Sequence, residues 1–367
     1  MNVLFCSDAM VVDGVASFVF HLSTALREGG HRVAVLGRWA GKGFQERLRK
    51  GGVEVIQCLS PTVGNFWFDK KAVEFSPHVI VTDSRRSFPL ATRLKAVTGA
   101  RVFTFFLDKL EKTDRKGRDV ASLVQFSDAW LSAEKPLLEQ LENVPTPFPK
   151  YHFRRPLKGL IRPTPLPPKT PFRLLCFGRL GGFKSITAWS LLRDAADLKK
   201  QIPSLEMIFV GGGWRTVKFR LAAGKIHREA RSSFIRVLGT QTDPQPWFEW
   251  ATLVCAGSTA AIEAALAHRP VVASAAHWLG LLTPENIEEG FSTYFAERLG
   301  PMVRDDPAAV GREVLRVYSE WDERKMDGAV LAVRKAVEPR FEREGASEEF
   351  QRIYDEISRR TPLSGNG

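Results

Sequence analysis

Two cations and one carboxylate, far apart along the chain, sit in surroundings suited to phosphate and sugar chemistry. The first cluster is Cys176-Phe-Gly178-Arg179-Leu-Gly181-Gly182-Phe-Lys184-Ser185. An apolar run ends at Phe177, and the glycines after it let the backbone turn and approach a ligand closely. Arg179 can fork onto phosphate oxygens, and Lys184 adds a point charge. The segment reads as a diphosphate cradle, or else as a plain glycine-rich turn with two solvated cations. It is not a Walker loop, because G-x-x-x-x-G-K-[ST] does not fit. In Val210-Gly211-Gly212-Gly213-Trp214, three glycines directly follow a second apolar run. Gly212 is there either for close backbone approach or as part of a flexible turn.

The third cluster runs from Cys255 through Gly257-Ser258-Thr259 and Glu263 to His268-Arg269-Pro270. It predicts a strand, a glycine turn and a helix start, with Ser258 or Thr259 as cap. Free N–H groups at such a start suit a phosphate. Glu263 lies about one turn into a helix that is otherwise apolar there. It can accept two hydrogen bonds from a ribose diol, or be a surface carboxylate favoured by the helix dipole. Near the amino end, an eleven-residue loop from Ser7 to Ser17 is expected to hold Asp8, Asp13 and Gly14 ahead of a helix. Gly14 would let an anionic group near the backbone, but G-x-G-x-x-G is absent. Asp8 and Asp13 lack a third ligand at useful spacing, so neither a metal site nor a cofactor is expected. His21, His31, His78 and His268 form no paired motif and read as structural. There is no G-x-S-x-G elbow. The four cysteines, Cys6, Cys58, Cys176 and Cys255, are far apart and read as buried free thiols.

The elements that must position these residues alternate between strand and helix. Strands are predicted at 3–6, 32–36, 53–57, 78–82, 101–106 and 129–132. Helices are predicted at about 15–28, 44–50, 88–97, 117–126 and 135–142. The alternation implies an α/β architecture with a doubly wound parallel sheet. Six prolines among basic residues in 151–171 then read as a semi-rigid linker. Strands at 173–177, 206–210, 235–238, 252–255 and 271–274 follow, with helices at about 186–200, 216–229, 246–251 and 260–267. The end is mainly helical, with helices near 325–337 and 347–357 separated at Pro339. The expected domains are 1–150, a linker over 151–171, 172–343, and a terminal helix at 344–360.

The chain has 367 residues, 44% hydrophobic and 26% charged, with a net charge of +12. That length suits two cores. No apolar run approaches the roughly 18–20 residues that span a bilayer. The opening run has no basic lead-in, so a cytoplasmic protein is expected. The positive surplus favours nucleotide phosphates, anionic lipid headgroups or nucleic acid. Without a zinc finger or RNP-like motif, sequence-specific nucleic-acid binding is not expected. The cations form either a solvated basic surface or a patch that touches anionic membrane.

These pieces, in this order, resemble the retaining glycosyltransferases of group 1, or family 4. Their GT-B fold has two Rossmann-like doubly wound domains with an interdomain cleft, the first on the acceptor side and the second binding the nucleotide sugar; the Pro339 break and the helix at 344–360 suit its last helix, which crosses back to the first domain. The segment from Asp13-Gly14 to Gly29-Gly30-His31-Arg32-Val33 is similar to the family's glycine loop and helix ending in "G-H-x-V-x-V". Gly178-Arg179-Leu180 with Lys184 is similar to "G-R-L…K-G", and Gly211–Gly213 to "V-G-x-G". Glu263-Ala-Ala-Leu-Ala-His-Arg-Pro-Val-Val-Ala-Ser is similar to "E-A-M-A-x-G-x-P-V-V-A-S".

The resemblance implies transfer of a sugar, with retention, from a nucleotide-diphosphate donor to a glycan or lipid-linked acceptor, without a required metal. It assigns Arg179 and Lys184 to the donor diphosphate and Glu263 to the ribose. Gly14, Gly178, Gly212, Ser258 and Thr259 would also bind donor. A hexosyltransferase-like enzyme of envelope polysaccharide biosynthesis is implied, working at the inner face of the membrane. Three positions depart from the family. Cys255 stands where E-x7-E has its first glutamate, and Ser185 where a glycine usually follows the lysine. Phe105-Phe106-Leu107-Asp108 replaces the segment with the usual histidine, leaving Asp108 as the candidate for part of that role. The alternatives are a catalytically impaired nucleotide-sugar-binding protein and a GT-B nucleotide-sugar epimerase.

Overall fold

The computed structural model describes residues 1–10, 14–40, 42–57, 66–82, 87–107, 125–157 and 159–360. The chain divides into two compact units. One comprises Met1–Leu157 with Phe341–Gly367, the other Lys158–Arg340.

The first unit is built on strands β1 (Asn2–Met10), β2 (Arg32–Ala40), β3 (Glu54–Gln57), β4 (Val79–Thr82), β5 (Arg101–Phe106), β6 (Ala129–Ser132) and β7 (Lys150–His152). They form one parallel sheet in the order β3-β2-β1-β4-β5-β6-β7. The central strands are short apolar runs because helices bury both faces. Helices α1 (Gly14–Glu28), α2 (Lys42–Lys50), α3 (Phe66–Phe75), α4 (Phe88–Thr98) and α5 (Lys135–Glu142) alternate with them. Helix α1 buries Phe18, Leu22, Ala25 and Leu26, the face its periodicity predicts. It also buries His21, Ser23 and Thr24, because the chain's last helix lies along it. The glycine pair that ends α1 has a packing reason. A Cβ on Gly29 would sit 1.9 Å from the Ser347 hydroxyl oxygen.

The second unit has strands β8 (Arg173–Phe177), β9 (Glu206–Val210), β10 (Ile235–Gly239), β11 (Leu253–Ala256), β12 (Val271–Ser274) and β13 (Trp278–Leu281). Their order is β10-β9-β8-β11-β12-β13. All pairs are parallel except β12 with the edge strand β13. The helices are α6 (Ile186–Gln201), α7 (Thr216–Ala230), α8 (Gln245–Trp250), α9 (Ser258–Leu266), α10 (Ile287–Ser292), α11 (Ala309–Ser319) and α12 (Glu323–Val337). Its core runs from Phe172 and Leu174 through Phe209 and Phe219 to Val310 and Val314. The chain then returns to the first unit as α13 (Ala346–Arg360).

Several sequence-based expectations change. The loop expected from Ser7 to Ser17 is shorter, since β1 runs to Met10 and α1 begins at Gly14. Residues 150–157, partly assigned to the linker, belong to the first unit. Tyr151 and His152 add an edge strand, where a neighbouring proline is tolerated, and Phe153 and Leu157 are fully buried. Helix α3 and strand β13 were not expected. Most of the helix expected at 117–126 lies outside the described residues. Cys6, Cys176 and Cys255 are buried thiols outside any disulfide, while Cys58 lies outside the described residues. His31 and His78 do structural work: Nδ1 of each is bonded to the chain's first two residues. Among the described residues, no helix is long and apolar enough to cross a membrane.

Candidate functional site

In the second unit, strand order reverses beside β8. The chain winds from β8 through β9 to β10 on one side, then restarts at β11 on the other. Loops leaving adjacent parallel strands on opposite sides of such a reversal frame a crevice at their carboxyl ends. Cys176 of β8 pairs with Cys255 of β11, so the two loops start level with each other. One carries Gly178, Arg179 and Lys184; the other carries Gly257 and Ser258 and leads into Thr259 and Glu263. The sheet therefore brings both clusters to one crevice. Gly14 occupies the matching place in the first unit, as the first residue of α1, beside the reversal between β1 and β4. Asp108 and Asp13 lie outside the described residues.

The loop after β8 is held by backbone, not side chains. Gly178 N–H donates to Val210 O at 3.0 Å, and Leu180 N–H to Gly212 O at 2.9 Å. The glycine run at 211–213 is needed for this contact. A Cβ on Gly211, whose φ is +152°, would sit 1.7 Å from Gly178 O. One on Gly213 would meet Leu180 O at 2.3 Å, and one on Gly212 the Thr240 hydroxyl at 2.1 Å. The run is thus a packed seam between loops, not a flexible turn. Arg179, on this loop, is exposed.

Lys184 lies in a 3-10 turn, Gly182–Ser185, that leads into α6. Ser185 takes an ordinary φ of −89°, so no glycine is required there. Its hydroxyl donates to Gly182 O at 2.8 Å and accepts from Arg215 Nη1 at 3.4 Å. The Thr187 hydroxyl pairs with that of Ser274 at 2.7 Å and donates to Ala275 O at 2.8 Å, pinning α6 to the end of β12.

The opposite wall differs from expectation. Neither Ser258 nor Thr259 caps α9 through its side chain; the N-cap is Gly257 in extended conformation. Side-chain bulk is excluded at the cap, because a Cβ there would lie 2.6 Å from Ala275 Cβ. The Ser258 N–H already donates to Phe295 O at 3.0 Å, and the Thr259 hydroxyl pairs with Tyr294 Oη at 2.9 Å. Tyr294, Phe295 and Ala296 form a left-handed turn, with φ of 50°, 53° and 65°. Such residues cost about 1–2 kcal/mol each, so the pedestal under α9 is held against its own preference by burial and these bonds. Any anion bound here uses donors deeper in the first turn. Glu263 is buried on α9 at 6% exposure, which excludes the solvated surface carboxylate.

The far end of α9 is fixed by Arg269, 2% exposed. Its guanidinium donates to Phe248 O at 2.6 Å, Thr164 O at 2.9 Å, His268 O at 2.8 Å and the Thr164 hydroxyl. Burial lowers its pKa to about 10, so it remains charged at neutral pH. His268 stands where the resembling family has glycine, and its φ of +62° shows why glycine suits that place. Its Nε2 is 2.8 Å from Asp327 Oδ1.

Cys255 occupies the position at which the sequence departs from E-x7-E. It lies inside β11, fully buried, and burial raises its thiol pKa well above the ordinary value. Cys176, also buried, is pushed up to about 12. A neutral thiol inside a central strand does not stand in for a carboxylate. The position eight residues before Glu263 therefore lies within the strand, and the turn from β11 to α9 is only one glycine long. Sequence reasoning missed Arg215, Thr187 and Tyr294. Arg215, following the glycine run, had a visible signal; Thr187 and Tyr294 had none, since their partners are 87 and 35 residues away.

Residues 171–320 match the family model described as glycosyl transferases group 1. No curated protein matches the chain in sequence. Solved structures match across both units. Anabaena Alr3699/HepE in complex with UDP and glucose is 14% identical with a TM-score of 0.70, covering 97% of this chain and 100% of that one. Sucrose-phosphate synthase from Thermosynechococcus elongatus is 16% identical with a TM-score of 0.66, covering 98% and 99%. A glycosyltransferase from Rickettsia africae is 14% identical with a TM-score of 0.67, covering 98% and 99%. The chain has the GT-B fold.

Proposed function

We propose that the chain is a glycosyltransferase that moves a sugar from a nucleotide-diphosphate donor to a glycan or lipid-linked acceptor with retention of configuration. The observation that carries this reading is the reversal of strand order beside β8, which sets the Arg179 and Lys184 loop next to the Glu263 helix. The family match over 171–320 and the UDP held by the HepE structure support it. In this reading the bond from the sugar's anomeric carbon to the phosphate oxygen breaks. The electron pair stays on the diphosphate, and Arg179 and Lys184 stabilise that charge as it develops. Glu263, presented by a helix anchored at both ends, receives the ribose hydroxyls. Gly14, at the start of α1, is carried forward as a donor-binding position, and Asp108 for a polar role at the donor sugar.

The test is a thermal-shift panel of nucleoside diphosphates and their sugars. A ligand at about a hundred times its Kd adds roughly 2.7 kcal/mol, a shift on the order of 5 °C for a unit of this size. The double variant Arg179→Ala/Lys184→Ala should show no shift. A wild-type protein indifferent to every common nucleoside diphosphate would sink the reading. The short turn at Gly257 favours a second reading, a donor-binding protein with impaired turnover. Tight donor binding without release of nucleoside diphosphate, whatever acceptor is offered, would select it. Conversion of the donor sugar with no acceptor present would indicate an epimerase.

A further inference from the structure

Helix α7 leaves its outer face without a partner in its unit, and that face has a specific composition. Its inner face buries Phe219 and Ala223. On the other side, Val217 is 64% exposed and Leu221 70% exposed, with Trp214 at the head of the helix at 69%. Phe183, 60% exposed, belongs to the neighbouring 3-10 turn. At about 100° per residue, positions 217, 218, 221, 225 and 228 fall within an arc of roughly 100°. The remaining members, Lys218, Lys225 and Arg228, are exposed cations. Val217 and Leu221 thus occupy the first two turns, with Trp214 just ahead of them, and cations flank and follow. The only acid on the helix is Glu229, 3.7 Å from Lys225. Arg215 lies over the Trp214 ring at 4.5 Å from its centre, and Lys218 at 6.0 Å.

We propose that this face of α7, with Trp214 and Phe183, docks onto the surface of an anionic lipid bilayer. Exposed valine and leucine gain nothing from a phosphate backbone or a base. They gain from entering the boundary between headgroups and acyl chains, while the long cationic side chains reach back to the headgroups. Trp214 suits that boundary, having an apolar body and one N–H. Charge complementarity selects the lipid: a nearly acid-free cationic helix is drawn to anionic headgroups over a range set by the ionic strength. The patch adjoins the candidate donor loop. A Cβ on Gly181 would be 3.3 Å from Trp214 Cδ1, and Arg215 reaches Ser185 in the turn that carries Lys184. If the glycosyltransferase reading holds, on which only this consequence rests, docking would bring the donor loop to the level where a lipid-linked acceptor is presented.

The test is sedimentation of the full chain with vesicles of phosphatidylcholine alone or with about one third phosphatidylglycerol. The protein should pellet only with the anionic vesicles, less so as salt rises. Val217→Ser/Leu221→Ser and Lys218→Glu/Lys225→Glu should each weaken binding about tenfold or more. The melting temperature and its response to UDP should stay as in the wild type. Failure of the wild type to bind anionic vesicles would overturn the proposal, and so would variants that bind as well as it does. A dimer in gel filtration that these substitutions dissolve would also overturn it, assigning the face to a second copy of the chain. Vesicle binding through this face without any nucleotide response would leave the docking surface standing and remove the donor reading.

Discussion

At the scale of single residues, glycine identity and glycine requirement separate in this molecule. The runs at 178–182 and 211–213 are visible in the sequence, and their expected use was close approach to a ligand. The structure gives the second run another use, the seam between the loops after β8 and β9. A Cβ on Gly211 would overlap Gly178 O at 1.7 Å, at a φ of +152° that only glycine adopts readily. Gly211→Ala should therefore cost about 3 kcal/mol or more, read as a lower urea midpoint, and should weaken any nucleotide response through the displaced Gly178–Leu180 backbone. A wild-type midpoint would show that the loops part easily and that the seam does not hold Arg179. His268 is the converse case. It takes a glycine's φ with a side chain in place, and the sequence shows the departure but not the Asp327 contact that accompanies it.

At the scale of elements, the central parallel strands were legible because doubly buried strands are continuous apolar runs. The edge strand β13 was not. Trp-Leu-Gly-Leu is short, lacks alternation and contains a glycine, so it carries no strand signal of its own. Its pairing is held from a distance: Leu281 N–H donates to Glu313 Oε1 at 2.8 Å, on α11. Arg316 also bonds to Glu313, and chiefly this contact, helped by the Leu281 N–H, holds the Glu313 carboxyl below its ordinary pKa of 4.5 against the opposing effect of burial. A carboxylate with a lowered folded pKa contributes stability that is present above its unfolded value and lost as pH falls through the folded one. The second unit should lose this contribution only on acidification below about pH 4.5. Glu313→Gln should lower stability at neutral pH by about 1–2 kcal/mol and flatten the acid limb. Urea midpoints from neutral pH into the acid range check both; an acid limb with wild-type slope in the variant would show that Glu313 is not its source. The candidate site was legible in the same uneven way. Arg179, Lys184 and Glu263 stand out by type and context, but only strand order says that their loops are neighbours.

At the scale of the whole molecule, the return of the chain to its first unit is the feature that local patterns reveal least. Arg343 makes the connection specific. Its guanidinium donates to both Glu28 carboxylate oxygens at 2.8 Å, to His21 O at 2.9 Å and to the Thr24 hydroxyl at 2.9 Å. Helix α13 then sets Phe350 against Phe103 and Phe153, with ring centres 5.5 and 6.0 Å apart. The first sheet's covering is therefore completed by residues synthesised after the entire second unit. The cores themselves are separate, with the cluster around Phe209 and Phe219 drawn entirely from the second unit. Phe350→Ala should cost about 3–5 kcal/mol, and hydrogen exchange should place that loss in α13, α1 and β5. Peptides from β8, β11 and α9 should keep wild-type protection and gain more when a nucleoside diphosphate binds. Equal loss of protection in both units would mean that they unfold as one cooperative body, and the donor site would then depend on the last helix.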